Sequence, residues 1–214
     1  YMRPGGVTQD APPEFWIQLN VLINKLPQLI DDLENLITDN EIVIARTKNI
    51  GVLSPQTAIE SSVTGPILRA SGINWDIRKA NPYESYGEMD FNIPTGSNGD
   101  SFDRYLVRIK EIRESIKIIK QCIKSIPNGI IKNPETPFFL RPECGDVYSS
   151  IESPRGELGF YLVSDGGIAP YRCKIRSPSF INLTVLRSLL IGWKMSDLIV
   201  IFGSLAVNMG EVDR

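Results

Sequence analysis

Residues 101–126, SFDRYLVRIKEIRESIKIIKQCIKSI, carry the most regular pattern in the chain and decide its fold class. Apolar side chains recur there every three or four positions, which is the spacing of one face of an α-helix. The face consists of Leu106, Ile109, Ile112, Ile116, Ile119, Ile123 and Ile126. Asp100 or Ser101 is suited to cap the start, and Pro127-Asn128-Gly129 ends the pattern. The sequence therefore predicts one long amphipathic helix.

Charged residues occupy positions between these apolar ones. They are Arg104, Arg108, Glu111, Arg113, Glu114, Lys117, Lys120 and Lys124. Charged side chains are seldom fully buried in proteins, because removing them from water costs free energy. We therefore expect them to lie mostly on the rest of the helix surface.

A second helical stripe precedes this helix, over residues 13–38. Its apolar positions are Phe15, Leu19, Leu22, Leu26, Leu29, Leu33 and Leu36. Pro13 is well placed in a first helical turn, whereas Pro27 is expected to kink or divide the helix, because its ring and missing N–H disrupt the preceding turn. The pair Ser54-Pro55 combines a capping hydroxyl with a proline at the first helical position, which predicts another short helix.

Three short runs with strand composition follow a proline-rich loop. VYSSIES (147–153), LGFYLVS (158–164) and YRCKIRS (171–177) are separated by PRGE and DGGIAP, which predicts a small antiparallel meander. Helical patterns return at about residues 180–190 and 195–205. No internal repeat or domain boundary is evident. The predicted class is therefore α+β, mainly helical, with residues 1–214 as a single domain.

The overall composition argues against two classes of partner. The 23 basic and 25 acidic residues give no electrostatic footprint for nucleic acid or for an anionic membrane. The longest apolar run, Leu198–Val207, is about half of the ~20 residues that a spanning helix needs, so membrane contact is expected only through partners. The first residue is Tyr1 and no targeting signal is present at this end, which predicts a fragment or a processed product.

The residue types available also limit the chemistry. The chain has no histidine, which removes Ser-His-Asp and Cys-His catalysis and the commonest metal ligand. Cys122, Cys144 and Cys173 are far apart and form no CxxC pair. We favour ordinary reduced cysteines over a site of three thiolates, and we predict that the chain binds no metal.

Two segments are candidates for function. Arg69, Arg78 and Lys79 flank Trp75, which suits a docking or anion-binding surface built from arginines and an aromatic anchor. The alternative is a solvated loop in which the arginines pair with Asp76, and the residues alone favour this alternative.

The last seven residues, NMGEVDR, form the second candidate segment. They are either a frayed charged tail or an end that packs beside the preceding helix, and their composition leaves both open. A third stretch, SPRGELG, lies between two strand patterns and is interpreted as a hairpin connection rather than a phosphate-binding loop.

An ordered set of longer motifs adds a resemblance to a known family. The segments YMRPGGV, TGPILRASGINWDIRKANPYESY, DFNIPTGSNGDSFDRYLVRIKEIRESIKIIKQC, SPRGELGFYLVSDGGIAPYRCKIRSPSF and MGEVDR occur in this order. Together they resemble the C-terminal half of the 49 kDa, or D-type, subunits of respiratory complex I, the NADH:quinone oxidoreductase. The H-type subunit of plastids is a close relative of that family, although SPRGELGFYLVSDGG looks more like the bacterial and mitochondrial members.

The resemblance implies a fold related to the large subunit of nickel–iron hydrogenases, without its metal-binding cysteines. It implies that quinone is the substrate, reduced in a chamber between this subunit and the neighbour that carries the terminal 4Fe-4S cluster. Electrons reach that cluster from NADH through iron–sulfur clusters in partner subunits, and quinone reduction drives proton translocation. The chain itself would bind no cofactor.

The implied location is the peripheral arm of the complex. This arm lies at the cytoplasmic side of the bacterial inner membrane or at the matrix side of the mitochondrial inner membrane, and the thylakoid is the less favoured alternative. Two rival interpretations stay open. One is a non-enzymatic scaffold fragment, and the other is a plastid-type subunit of a ferredoxin or NAD(P)H:plastoquinone oxidoreductase.

The resemblance also assigns site residues. Family members contact the quinone headgroup through a histidine and a tyrosine in the half that this chain does not match, so it places no catalytic residue here. The residues implied to lie near the quinone chamber are Ala206, Val207, Asn208, Met209, Gly210, Glu211 and Arg214. Ala206 and Asn208 depart from the family, in which an aspartate and a small apolar residue are commoner. The candidates for subunit docking are Arg69, Trp75, Arg78 and Lys79.

Overall fold

The computed structural model describes residues 2–127, 129–137 and 139–213. The helices in these ranges are α1 Pro13–Ile37, α2 Glu41–Thr47, α3 Pro55–Glu60, α4 Pro66–Ala70, α5 Ile77–Ala80, α6 Ser101–Ser125, α7 Pro178–Asn182, α8 Leu186–Leu190, α9 Met195–Leu205 and α10 Met209–Asp213, with 3₁₀ turns at Tyr86–Glu88 and Leu183–Val185. The strands are β1 Met2–Arg3, β2 Gly6–Val7, β3 Gly145–Ser153, β4 Gly156–Ser164 and β5 Arg172–Arg176. The mixture confirms the predicted α+β class.

The long central helix α6 forms as the sequence predicts. Asp100 caps it, because its carboxylate accepts a hydrogen bond from the Asp103 N–H at 2.7 Å. The helix packs against α1, α4 and α9. These neighbours lie on more than one side, so its buried apolar residues are Val107, Ile109, Ile116 and Ile118. The prediction of a single apolar face is therefore wrong in part, and Ile112, Ile119 and Ile126 are exposed.

One charged residue of α6 is entirely buried, contrary to the expectation that the charges lie on the surface. The guanidinium of Arg104, 0% exposed, donates to the carbonyl oxygens of Gly99 and Gly51, each at 2.8 Å, and to the Ser204 hydroxyl at 2.9 Å. Burial, together with the nearby Arg108, lowers the pKa of Arg104 to about 10. The charge is thus retained at neutral pH and ties α6 to the preceding loops and to α9.

Helix α1 runs without a break past Pro27, so Pro27 does not divide the helix, and the alternative of a kink stays a prediction. Ile23 and Ile30 pack against Ile109 and Ile116 of α6 and form a narrow seam. Most of the predicted stripe lies beside this seam rather than in it. Its exposed members are Phe15, Leu22, Leu29, Leu33 and Leu36.

A second apolar core joins α3, α4, α8 and α9. Its buried members are Ile50, Leu53, Ala58, Val63, Ile67, Leu68, Val185, Leu189, Ile201 and Leu205. Val207, just after α9, is half-buried against this core. The core therefore sets where the chain emerges at the end of α9.

The predicted meander is confirmed as an antiparallel sheet in the order β3-β4-β5. Ser153 pairs with Gly156, so Pro154 and Arg155 alone connect β3 to β4. We call residues 153–156 the β3–β4 turn. A Cβ added to Gly156, which has φ 136°, would lie 2.5 Å from the Thr64 hydroxyl oxygen, so only glycine allows the turn to approach this closely.

Candidate functional site

The C-terminal segment, residues 206–213, leaves α9 through a left-handed residue. Ala206 has φ 52° and donates its N–H to the Gly203 carbonyl at 3.0 Å, which ends the helix. A short helix, α10, then covers Met209–Asp213 and packs against α7. The sequence pattern did not predict this helix.

Arg155 and Ser179 hold this segment at both ends. Arg155 donates from Nε to the Ala206 carbonyl at 2.8 Å and from Nη1 to the Glu211 carboxylate at 3.1 Å. The Ser179 hydroxyl donates to the other Glu211 oxygen, and it accepts from the Asn208 N–H at 3.3 Å. We call Arg155, Ser179 and Glu211 the C-terminal clamp. The segment is therefore packed against the rest of the chain and is not frayed.

Packing does not bury the whole segment. Met209 is 66% exposed, and Asn208 and Gly210 are exposed as well, whereas Val207 and Glu211 are half-buried. Arg214 lies outside the described residues. The described residues that the resemblance places near the quinone chamber are thus partly exposed, and the clamp holds them against the rest of the chain.

The β3–β4 turn is anchored before it reaches the clamp. Asn182, which is buried, donates to the Arg155 carbonyl at 3.0 Å and accepts the Thr64 N–H at 3.1 Å. The Glu157 N–H donates to the Thr64 hydroxyl at 3.1 Å. Asn182 of α7 therefore holds the backbone of Arg155, while the Arg155 side chain contacts the C-terminal segment.

A buried charge cluster lies on the other side of the same turn. Arg69, 2% exposed, contacts Glu111 at 2.6 Å and Glu152 at 2.8 Å, and its Nη1 lies 3.7 Å from Asp76. Arg78 pairs with the same Asp76 at 2.6 Å. The cluster consists of Arg69, Asp76, Arg78, Glu111 and Glu152.

The cluster bears on the candidates for docking. The Arg78–Asp76 pair of the loop alternative is present. Arg69 is internal, and its charge is compensated by the nearby Asp76 and by Glu111 and Glu152 from distant segments. Trp75 is 48% exposed, and Lys79 is exposed with its ammonium 4.4 Å from the Phe91 ring centroid. A docking role for Trp75 and Lys79 stays a prediction, and Arg69 contributes to the interior instead.

The pKa values of the cluster carboxyls are shifted in opposite directions, because burial dominates at the two glutamates and pairing with Arg78 dominates at Asp76. Desolvation raises the pKa of Glu111 and Glu152, and Arg69 offsets it only in part. For Asp76, desolvation is outweighed by the hydrogen bonds and charge of Arg78, so its pKa is lowered. A cavity of about 510 Å³ adjoins the cluster and is lined by Glu111 and Glu152 among others. Glu111 and Glu152 therefore hold a proton more readily than an exposed glutamate does.

We expect two glutamates on α6, three residues apart, to respond oppositely to pH. The raised pKa of Glu111 gives stability that is present below the ordinary glutamate pKa and is lost as pH rises through the folded value. Glu114 is partly desolvated, but bonds from Lys117 and the Asn92 N–H lower its pKa, so its contribution is lost as pH falls.

The measurement is urea unfolding of the wild type, Glu111→Gln and Glu114→Gln between about pH 4 and 7. As pH falls, the wild type should gain stability relative to Glu111→Gln and lose stability relative to Glu114→Gln. Slopes of the same sign for the two variants would contradict the assignment.

The described part of the chain offers little for binding metals. No group of three or more Asp, Glu or Cys side chains within it is arranged to hold a metal ion. Cys122, Cys144 and Cys173 are free thiols. In the same ranges, no helix combines the length and the apolar composition needed to cross a membrane.

The comparison with known proteins addresses the chain as a whole. Residues 1–214 match the family model described as "Respiratory-chain NADH dehydrogenase, 49 Kd subunit". The chain belongs to this family. The resemblance inferred from the motifs is thereby confirmed.

Several relatives are named as the same component, the D-type subunit of NADH-quinone oxidoreductase. The one from Dehalococcoides mccartyi is 53% identical over 214 residues. One from Roseiflexus sp. is 52% identical over 221 residues, and the one from Rickettsia typhi is 44% identical over 238. Each match includes the whole of this chain but only 58%, 59% and 61% of the relative. The chain therefore spans about three fifths of the length of these 49 kDa subunits.

Sequence reasoning missed the residues that organise the site. Arg155 and Ser179 carry no predicted function, and the sequence pattern places Glu111 on the helix surface. The only local indication is the PRGE turn, in which an arginine stands between a proline and a glycine in a tight connection. Nothing in that pattern identifies the distant residues that the guanidinium contacts.

Proposed function

We propose that this chain is part of a core subunit of NADH:quinone oxidoreductase, and that its C-terminal segment forms part of the wall of the quinone chamber. Membership of the 49 kDa family along all 214 residues is the observation that carries the proposal. Relatives named as the D-type component of NADH-quinone oxidoreductase, at 44–53% identity, support it.

The chemistry of the C-terminal segment suits this role. Quinone sites are expected to be mostly apolar with a few fixed polar groups. The segment presents Met209 at the surface and Val207 beside it, while Glu211 is neutralised by Arg155. The carboxylate of the clamp is thus paired, which lowers the cost of removing it from water beside an apolar quinone.

Assembly with other subunits is part of the proposal. Electrons would come from NADH through iron–sulfur clusters in partner subunits, the last being the 4Fe-4S cluster of the neighbour. Leu22, Leu29, Leu33 and Leu36 are exposed at helical spacing along α1, which supports burial of this face against partners, since contiguous apolar surface usually marks an interface. Trp75 and Lys79 are the proposed docking residues.

The remaining features follow from the same proposal. The fold would be that of the C-terminal part of a nickel–iron hydrogenase large subunit, without the metal. The location would be the peripheral arm, in contact with the membrane through partners. Quinone reduction there would drive proton translocation.

The test is inhibitor sensitivity of the assembled oxidoreductase carrying Met209→Ala. We expect the concentration of a quinone-site inhibitor needed for half inhibition to change by about threefold to tenfold, because an exposed apolar contact would be lost. Met195→Ala is the matched control, since Met195 is also strongly exposed but lies at the start of α9. Equal sensitivity of the two variants would contradict the proposed wall.

A further inference from the structure

We propose that Arg155 is a positioning residue for the quinone chamber: it holds the C-terminal segment in the one arrangement in which Met209 and its neighbours face the substrate. The inference rests on the proposed function, because it concerns the same segment. Arg155 itself need not touch the quinone, since it acts through the residues that it contacts.

The geometry of the guanidinium supports this assignment. Its Nε contacts the carbonyl of Ala206 and its Nη1 contacts the carboxylate of Glu211, so a single side chain bridges the beginning and the far part of the segment. The exposed residues Asn208 and Met209 lie between these two contacts. A planar fork with several donors can make both contacts at once, whereas the single ammonium of lysine cannot reproduce that geometry.

The backbone that carries the Arg155 side chain is fixed by contacts on several sides. The Ser153–Gly156 pairing closes the hairpin, and Asn182 binds the Arg155 carbonyl. A Cβ on Gly65 would lie 2.6 Å from that same carbonyl oxygen, which leaves the turn no room to shift toward α4. A rigid base and a two-point side chain together restrain the segment more than either would alone.

The clamp also has a second side. Ser179 on α7 binds the Glu211 oxygen that Arg155 does not use, and it accepts the Asn208 N–H. Glu211 is thus held from two elements, the β3–β4 turn and α7. Loss of Arg155 leaves the Ser179 contacts in place, so the expected effect is displacement and mobility of the segment rather than unfolding of the chain.

The experiment compares Arg155→Gln, Arg155→Lys and Glu211→Gln in the assembled oxidoreductase. Arg113→Gln is the matched control, because Arg113 is about as exposed as Arg155 and also forms ion pairs, but with Asp31 and Glu34 outside the segment. Two quantities are measured: hydrogen–deuterium exchange of residues 206–213, and the KM and kcat for a water-soluble quinone.

We expect Arg155→Gln to increase exchange in residues 206–213 and to raise the quinone KM by about fivefold to tenfold, with a smaller change in kcat. Arg155→Lys should raise the KM as Arg155→Gln does, although lysine keeps the charge. Glu211→Gln should raise exchange and KM by less. Arg113→Gln should change neither quantity. If Arg155→Gln prevents assembly, Glu211→Gln carries the test with the same two measurements.

Two outcomes would overturn the inference. Unchanged exchange in Arg155→Gln would mean that the guanidinium does not restrain the segment. Increased exchange with an unchanged KM, while Met209→Ala still alters inhibitor sensitivity, would reject the positioning role and leave the proposed function intact. If Met209→Ala also has no effect, the proposed function itself fails.

Discussion

Replacing Arg69 by methionine is expected to lower the free energy of unfolding by about 3–5 kcal/mol. The guanidinium is the shared cation for Glu111 and Glu152 and lies close to Asp76. Without it, two carboxylates in the interior lose their closest positive charge, and a buried charge without a partner costs more than the pair is worth. Methionine keeps much of the volume, so the effect is mainly electrostatic.

Urea unfolding at neutral pH measures this loss, with Arg113→Met as control. Arg113 also pairs with two carboxylates, Asp31 and Glu34, but at an exposed position, where ion pairs contribute about 0–1 kcal/mol. The loss in Arg69→Met should also diminish as pH falls and the glutamates protonate, because their pKa values are raised. A loss no larger than that of Arg113→Met would contradict the cluster.

A loss of about 3–5 kcal/mol is also expected for Arg104→Met, for a different reason. Arg104 pairs with no carboxylate within 4 Å among the described residues, and its donors satisfy the carbonyls of Gly51 and Gly99 and the Ser204 hydroxyl. The Gly51 carbonyl would be left without a donor, which costs about 1–3 kcal/mol. The Gly99 carbonyl, which keeps the Leu53 N–H, and the Ser204 hydroxyl would each lose a hydrogen bond to a charged donor, worth about 1.5–3 kcal/mol. The helix α6 would lose its polar ties to the loops before it and to α9.

The matched control for Arg104→Met is Lys110→Met on the same helix. Lys110 is exposed, and substitutions of that kind usually change stability by no more than about 0.5 kcal/mol. Thermal or urea unfolding of both variants separates a general effect of methionine on the helix from the loss of the buried network. Similar values for the two variants would show that the network contributes little.

The parts of the fold that follow from local patterns could be predicted. Asp100 caps α6, and Ser54 caps α3 by accepting the Thr57 N–H at 3.1 Å, as their sequences indicate. Strand composition and turn signals also placed all three strands of the meander. Cap and turn chemistry acts over a few residues, so one sequence is sufficient to recognise it.

The remaining features depend on contacts between distant segments. Pro27 does not end α1, because packing along the helix maintains it, and the five-residue helix α10 is too short to give a periodic pattern. The burial of Arg69 requires carboxylates from three separate stretches of the chain. Each of these charged residues taken alone is expected to be exposed. They are buried because the fold brings opposite charges together.

The β3–β4 turn connects the charge cluster to the C-terminal clamp. Glu152, at the end of β3, belongs to the charge cluster, while Arg155, three positions later, belongs to the C-terminal clamp. Only Ser153 and Pro154 separate the two residues, and the hairpin pairing fixes their spacing. Because one short turn carries a residue of each network, a substitution that shifts this turn is expected to disturb the buried charges and the C-terminal segment together.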